Sequence, residues 1–357
     1  MSEEKGQGIG ARLGRLLLQV VVLPVIGLLV AVAFLEVGIR AYLALRQPAP
    51  SWSDRPSFYY AHELMPSSQD FPHSPQKPEN TFRIAVVGDS FTFAPYMQFI
   101  DAFPEKLEQM LNLNDTQMKG EVINYGVPAY SLSHEIEVVK RALAEDADLI
   151  ILQVTLNDPE LKPYRPVGIQ TSLPDRFGAY IPQGKQASLV KYWKTAGLVL
   201  ERLHNRAAQE AYVDYFLDLF ENPKSWGVYE KSLKKIVRAC RRHGDTPIVA
   251  FVFPLFGLPL DENYPFWGIH EKVAKLFEAE GVPSHDLQEI YRDIPLSRLQ
   301  VIPNVDRHPN EIAHRMAAEE MYRWLEEHGR IPEELRIRTR YKDRTSIEPT
   351  PLGDTGE

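Results

Sequence analysis

Five short strand-like stretches, three of them largely apolar, recur along this chain between helix-period segments, and that alternation narrows what the chain can fold into. Arg83 to Val87 reads as a buried strand ending in Gly88, and Glu121 to Tyr125 as a second, ending at Gly126. Asp148 to Val154 is the third, Pro247 to Phe253 the fourth, and a shorter strand is expected near Val282 to Asp286. Between the first strands, Ala102 to Leu113 carries Phe103, Leu107, Met110 and Leu111 on one helical face. Leu132 to Ala144 turns Ile136, Val139 and Leu143 inward, with Ser131 as its cap. Tyr229 to Arg242, Ile269 to Glu280 and Asn310 to His328 supply later helices. Strands covered on both faces read as continuous apolar runs, and their alternation with helices predicts an α/β fold around a parallel sheet.

The ends of the chain are different in kind. Leu16 to Leu35 is apolar apart from Gln19, Pro24 and Gly27, and about 20 such residues on a helix cross the hydrocarbon core of a bilayer. Lys5, Arg12 and Arg15 precede the run, which favours a cytoplasmic N-terminus and an extracytoplasmic domain, periplasmic in a Gram-negative cell. Ala31-Val32-Ala33 also reads as a small-residue cleavage site of a signal peptide. The length of the run, and its amphipathic continuation through Val37, Ile39, Tyr42 and Leu43, favour an anchor over residues 1–46. A Pro-, Ser-, Asp- and His-rich lead-in then spans 47–80, the α/β domain 81–330, and a charged polar tail 331–357. Within the domain, 159–226 interrupts the alternation: a loop containing seven Pro and Gly residues precedes a helical stretch from about Leu189 to Leu219.

Composition removes several function classes. With a net charge of −8 and 44% hydrophobic residues, this is a globular chain without the basic face that nucleic acid requires. The single cysteine, Cys240, forms no intramolecular disulfide and no cysteine-based zinc site, and it reads as a half-buried structural thiol. His73, His134 and His270 have no partners at metal-ligand spacing, so neither a metal site nor a cofactor is expected.

Ligands of an open α/β sheet bind beyond the carboxyl ends of its strands, and the polar signals fall there. Strand one runs into Gly88-Asp89-Ser90, strand two into Asn124-Tyr125-Gly126, and strand three into Thr155-Leu156-Asn157-Asp158. Asp306-Arg307-His308-Pro309-Asn310 comes just before the last helix. A serine hydroxyl needs a base, histidine titrates near neutrality, and a carboxylate fixes the histidine tautomer. A tetrahedral intermediate needs donors aimed at its oxygen. Ser90, His308 and Asp306 fit the first three roles; the backbone of Ser90 and Gly126 and the Asn157 amide fit the last, Gly126 because it lets a substrate approach closely.

These four blocks, over roughly residues 83 to 328, resemble those of the SGNH (GDSL-type) hydrolase superfamily, and the anchor resembles its membrane-bound bacterial members. The resemblance implies a flavodoxin-like three-layer α/β/α fold. It also implies Ser90 as nucleophile, Gly126 and Asn157 as oxyanion donors, and Asp306 and His308 as the rest of a triad. Two departures stand out: one residue, Arg307, separates Asp306 from His308 where two are commoner, and Thr155-Leu156 replaces the glycine usual two residues before Asn157.

Bland readings account for other signals. Asp89 and Asp158 read as structural loop carboxylates, and His314 as a packing or capping residue. Ser284-His285-Asp286 cannot assemble as a triad, because neighbours on a strand point to opposite faces. The aromatic loop of Phe253, Phe256, Tyr264, Phe266 and Trp267 fits core packing and a substrate wall equally well. The expected function is a serine esterase acting on an envelope glycan or lipid ester, such as an O-acetyl group. An O-acyltransferase on the same site is one alternative, and a non-catalytic glycan-binding or assembly protein is another. The 159–226 insertion is expected to set specificity.

Overall fold

The computed structural model describes residues 18–46, 73–161, 184–303 and 306–337, together with Gly14, Leu16 and Pro182. The basic residues Lys5, Arg12 and Arg15, most of the 47–80 lead-in, the loop 162–181 of the insertion and the tail beyond 337 lie outside the described residues.

In chain order the helices and strands that matter here are α1 (Leu23–Leu45), continuing a π-helical turn Leu18–Val22, β1 (Thr81–Gly88), α2 (Ser90–Phe93), α3 (Phe103–Leu111) and β2 (Lys119–Gly126). Next come α4 (Leu132–Ala144), β3 (Leu149–Val154), α5 (Lys185–Tyr192), α6 (Lys194–Glu221), α7 (Pro223–Arg242) and β4 (Ile248–Val252). The remainder are α8 (Trp267–Ala279), β5 (Ser284–Asp286), α9 (Gln288–Tyr291), β6 (Gln300–Ile302), β7 (Asp306–Pro309) and α10 (Glu311–Glu327). They fall into two compact units, Met1–Ala49 with Ser172–Tyr212, and Pro50–Thr171 with Val213–Glu357.

In the first unit, Leu18–Leu45 is long and apolar enough to cross a membrane, a test that a signal sequence also passes. The single insertion helix expected from about Leu189 is two helices, because the backbone leaves helical space at Trp193 (φ −130°, ψ 96°).

The second unit is built on a five-stranded sheet of order β2-β1-β3-β4-β5, every pair parallel. This is the flavodoxin-like order. Ile84 to Val87 of β1 and Leu149 to Leu152 of β3 are wholly buried, and burying each such aliphatic side chain contributes about 1.5–3 kcal/mol. Crossovers between parallel strands are right-handed, so α3, which leads leftward to β2, lies on one face of the sheet. The helix α4, which leads back past β1 to β3, lies on the other. Packing follows this division: α3 meets α10, and α4 meets α7.

One polar residue in β1 has a structural reason. Arg83 is fully buried, pairs with Glu121 at 2.8 Å and donates to the carbonyls of Ser74, Pro75 and Glu145, pinning the chain that leads into the sheet. Residues 306–310, expected as a loop, begin as a strand: β7 pairs antiparallel with β6, placing Ile302 opposite Asp306 and Gln300 opposite Pro309.

Candidate active site

The site begins where β1 ends. Asp89 caps the short helix α2, its Oδ1 accepting the Phe91 N–H at 2.9 Å, and Ser90 is the first residue of that helix. An N-terminal residue of a helix has no intrahelical partner for its N–H. The Ser90 hydroxyl and a free backbone donor therefore share one turn.

His308 reaches Ser90 from β7. Side chains alternate across a strand, so Asp306 and His308, separated by Arg307 alone, stand on the same face. His308 Nε2 lies 2.9 Å from Ser90 Oγ, and His308 Nδ1 lies 2.8 Å from Asp306 Oδ1. The same Asp306 oxygen accepts the His308 backbone N–H at 2.9 Å. A carboxylate only accepts, which puts the ring proton on Nδ1 and leaves the Nε2 lone pair facing the Ser90 hydroxyl. Asn310 holds the hairpin against α10: its Oδ1 caps the N–H groups of Ile312 and Ala313, and its Nδ2 donates to the carbonyls of Arg298 and Gln300. Beneath the ring, Phe91 meets His308 edge-on at 5.8 Å and packs in turn on Phe253 and Phe256.

Burial works against the charged form of His308. The Asp306 carboxylate, by charge and by hydrogen bond, together with the charge of Asp89, outweighs burial and holds the imidazole above its ordinary 6.5. The His308 side chain is 30% exposed, so solvent reaches the ring.

Asn157 arrives at the end of β3. Its Nδ2 donates to Asp89 Oδ2 at 2.9 Å, and its Oδ1 is in contact with the Thr155 hydroxyl. A carboxamide nitrogen carries two hydrogens, so one remains for a ligand while Asp89 orients the group. The Thr155 hydroxyl also lies 2.9 Å from Asp89 Oδ2, and Gln153 Oε1 accepts from the Asp89 N–H and the Thr92 hydroxyl. Asp89 thus ties the Ser90 turn to the Asn157 loop.

Gly126 comes to the same end of the sheet as the last residue of β2. Its N–H donates to Asn124 Oδ1 at 2.9 Å, so this amide is engaged within its own loop. A Cβ there would stand 2.3 Å from the Phe93 nitrogen and 2.6 Å from the Thr92 carbonyl carbon. Glycine is therefore required at this position for the backbone of α2 to pass.

Sequence reasoning also missed a buried acidic group behind this turn. Glu135 and Asp158 are inaccessible to solvent or nearly so, and both carboxyl oxygens of Glu135 lack a hydrogen-bond partner. Burial, with the charge of Asp89, pushes Glu135 well above the usual carboxylate range; burial, with Glu135 and Asp89, does the same to Asp158. The Tyr229 hydroxyl, likewise raised by burial and these two acids, is orphaned as well. The signal was present: Glu135 stands three residues after Leu132 and four before Val139, on the buried face of α4.

The other candidates have structural duties. His314 Nδ1 accepts the Phe103 N–H at 3.1 Å, capping α3, and burial drives its pKa down to about 3. In β5, His285 faces Glu320 at 2.6 Å while Asp286 bonds His270 at 2.9 Å, two separate partnerships. Cys240 is fully rather than half buried, and burial lifts its thiol to about 11. Phe253, Phe256, Tyr264 and Phe266 are core residues. Among the described residues no group of three His, Cys, Asp or Glu is placed to hold a metal ion.

No protein-family model matches the chain, and no curated protein matches it by sequence. Among solved structures it is similar to a protein assigned to the G-D-S-L lipolytic family from Desulfitobacterium hafniense, at 13% identity over 68% of this chain and 98% of that one, with a TM-score of 0.38. It is similar to an acetylxylan esterase from Geobacillus stearothermophilus at 14% identity over 68% and 92%, with a TM-score of 0.40. A two-domain esterase active on acetylated mannans gives 12% identity and a TM-score of 0.39 over 69% of this chain and 49% of that one.

Proposed function

We propose that the chain is a serine esterase of the SGNH type, with Ser90 as nucleophile, His308 as general base and Asp306 orienting the imidazole. The observation that carries this reading is the continuous hydrogen-bond chain from Ser90 Oγ through both His308 nitrogens to Asp306. As Ser90 Oγ bonds to the ester carbonyl carbon, His308 Nε2 takes the hydroxyl proton and Asp306 stabilises the imidazolium. The Ser90 N–H and the second Asn157 amide hydrogen face the developing oxyanion. Collapse breaks the bond to the alkoxy oxygen, which receives the proton from His308 and leaves as the alcohol. Water then attacks the Ser90 ester while His308 accepts its proton; the acyl carbon–Oγ bond breaks, Oγ takes the proton back from His308, and the acid is released. The solvent exposure of His308 supports water as the second acceptor.

In this reading Leu18–Leu45 anchors the protein, with the catalytic domain of residues 81–330 on the extracytoplasmic side. The substrate is then an ester, such as O-acetyl, on an envelope glycan or lipid. A fluorophosphonate probe should label the full-length protein and not its Ser90→Ala variant; equal labelling of both would overturn the assignment. Release of acetate from acetylated envelope glycan in wild type, absent in Ser90→Ala, tests the substrate class.

A further inference from the structure

We infer that α5 and the first turns of α6 form a membrane-surface element whose partner is the head-group layer of an anionic phospholipid bilayer. The inference rests on the reading of Leu18–Leu45 as a membrane anchor.

The first support is where the element is fastened. Glu36, in the second half of α1, accepts the N–H groups of Lys194 and Thr195 at 2.8 Å each and the Thr195 hydroxyl at 2.7 Å. Arg40, one turn on, donates Nε to Glu36 at 2.8 Å and a terminal nitrogen to the Tyr192 carbonyl at 2.8 Å. The carboxylate therefore caps the N-terminus of α6, where orphaned N–H groups and the helix dipole favour negative charge. Leu16 to Leu35 is a run of the about 20 predominantly apolar residues that a hydrocarbon core takes. Glu36 is the first charged residue after that run, which sets it at the core boundary. An ionisable side chain at that depth needs partners, and the start of α6 together with Arg40 supplies them. The corner between α5 and α6 is thereby held at the same level.

The second support is what the element exposes there. Leu189, Tyr192, Trp193, Val199 and Leu203 are 43%, 73%, 40%, 53% and 61% exposed. One such residue needs no explanation, but five within fifteen positions form a patch that asks for a partner. Tyr and Trp are the side chains enriched at the interface of a bilayer, and here they stand at the corner itself. The corner is tight: a Cβ on Gly197 would lie 2.9 Å from Val190 Cγ1, so α5 folds closely against α6.

Charge is the third support. Residues 185–203 carry Lys185, Lys191, Lys194 and Arg202 against one acid, Glu201. A segment with lysines beside exposed aromatic and aliphatic residues has the chemistry of the head-group layer, and its basic excess favours anionic lipid. A protein partner would explain the apolar patch but not its fastening at the boundary depth of the anchor.

The test uses the full chain with Cys240→Ala, carrying one spin label at Leu189→Cys, Tyr192→Cys or Leu203→Cys. The protein is reconstituted in vesicles of three parts phosphatidylcholine to one part phosphatidylglycerol. Leu29→Cys in α1 and Lys231→Cys on the surface of α7 serve as lipid and water references, and fluorophosphonate labelling confirms folding of each variant. The expected result is a ratio of oxygen to water-soluble nickel-chelate collisions several-fold above that at Lys231 for all three positions. Water-like ratios at the three sites with a lipid-like Leu29 would overturn the surface element while leaving the anchor intact. A water-like Leu29 would overturn the anchor and the surface element with it. Exclusion of both reagents at the three sites would mean that protein, not lipid, covers the patch, and would also overturn the inference.

Discussion

Replacing Asp306 by Asn separates the charge of this side chain from its geometry. Oδ1 receives both the Nδ1–H and the backbone N–H of His308, and an Asn carbonyl oxygen can receive the same two donors. The tether survives and the negative charge goes. Two unit charges about 4 Å apart attract by about 4 kcal/mol at an effective dielectric of 20. The Asp306 and His308 side chains are 11% and 30% exposed, so part of that attraction is screened. We take about 2–3 kcal/mol as the loss when an imidazolium must form without its carboxylate, roughly 30- to 150-fold in kcat/KM. If the amide instead turns its nitrogen toward Nδ1, the ring adopts the wrong tautomer and the loss grows toward about 10⁴-fold.

The pH profile gives a second readout. His308 is held above 6.5, so its neutral, basic form fills only above that value, and the acid limb of kcat/KM lies there. Removing the Asp306 charge leaves burial as the main influence and moves the limb to lower pH. By linkage, the raised pKa contributes stability that is fully present below the unfolded value and is lost as pH rises through the folded one. Hydrolysis of p-nitrophenyl acetate, followed from mildly acidic to mildly alkaline pH in wild type and Asp306→Asn, checks both effects. A loss within about threefold, under ~1 kcal/mol, with an unmoved limb would refute the assignment of Asp306.

Two further substitutions address the support of the site. Asn157→Ala should lower kcat by about 100- to 1000-fold, the usual cost of one oxyanion donor, while Ser90 still reacts with the fluorophosphonate. Unchanged turnover would reduce Asn157 to a loop tie. For Glu135→Gln the readout is denaturant stability against pH. The buried acid keeps its proton while the unfolded one ionises near 4.5, so the wild type loses stability as pH rises from that value toward the folded one. The variant should lack that contribution; parallel stability curves would show that Glu135 is not held protonated.

What the sequence made legible was the sheet and the tips of its strands. β1 and β3 announce themselves because strands covered on both faces must be apolar along their whole length, and Leu132–Ala144 because its apolar positions repeat at the helical period. The β6–β7 hairpin was not legible: Asp-Arg-His-Pro has no alternation to read, and its strand state depends on pairing with Gln300–Ile302. The break at Trp193 was hidden for the opposite reason, since the helical pattern runs on through it. The packing role of Gly126 was not legible, because a glycine needed beside a neighbouring backbone looks, in one sequence, like a glycine needed beside a substrate.

The hairpin also accounts for the spacing of Asp306 and His308, which differs from the commoner closing block of the superfamily that the sequence resembles. With two residues between the acid and the base, a regular strand would put them on opposite faces, and some other backbone shape would have to bring them together. With Arg307 alone between them, extended backbone does so without a turn, and the arrangement is held by β6 on one side and the Asn310 cap on the other. Ser90 and Asn157 need no comparable device. The chain leaves β1 for β2 on one side and crosses to β3 on the other, so the flanking helices part above β1 and β3. Ser90 and Asn157 are what those two strands deliver to the gap, and Asp89 joins them beneath it. The position of Ser90 is thus set by topology and that of His308 by strand register.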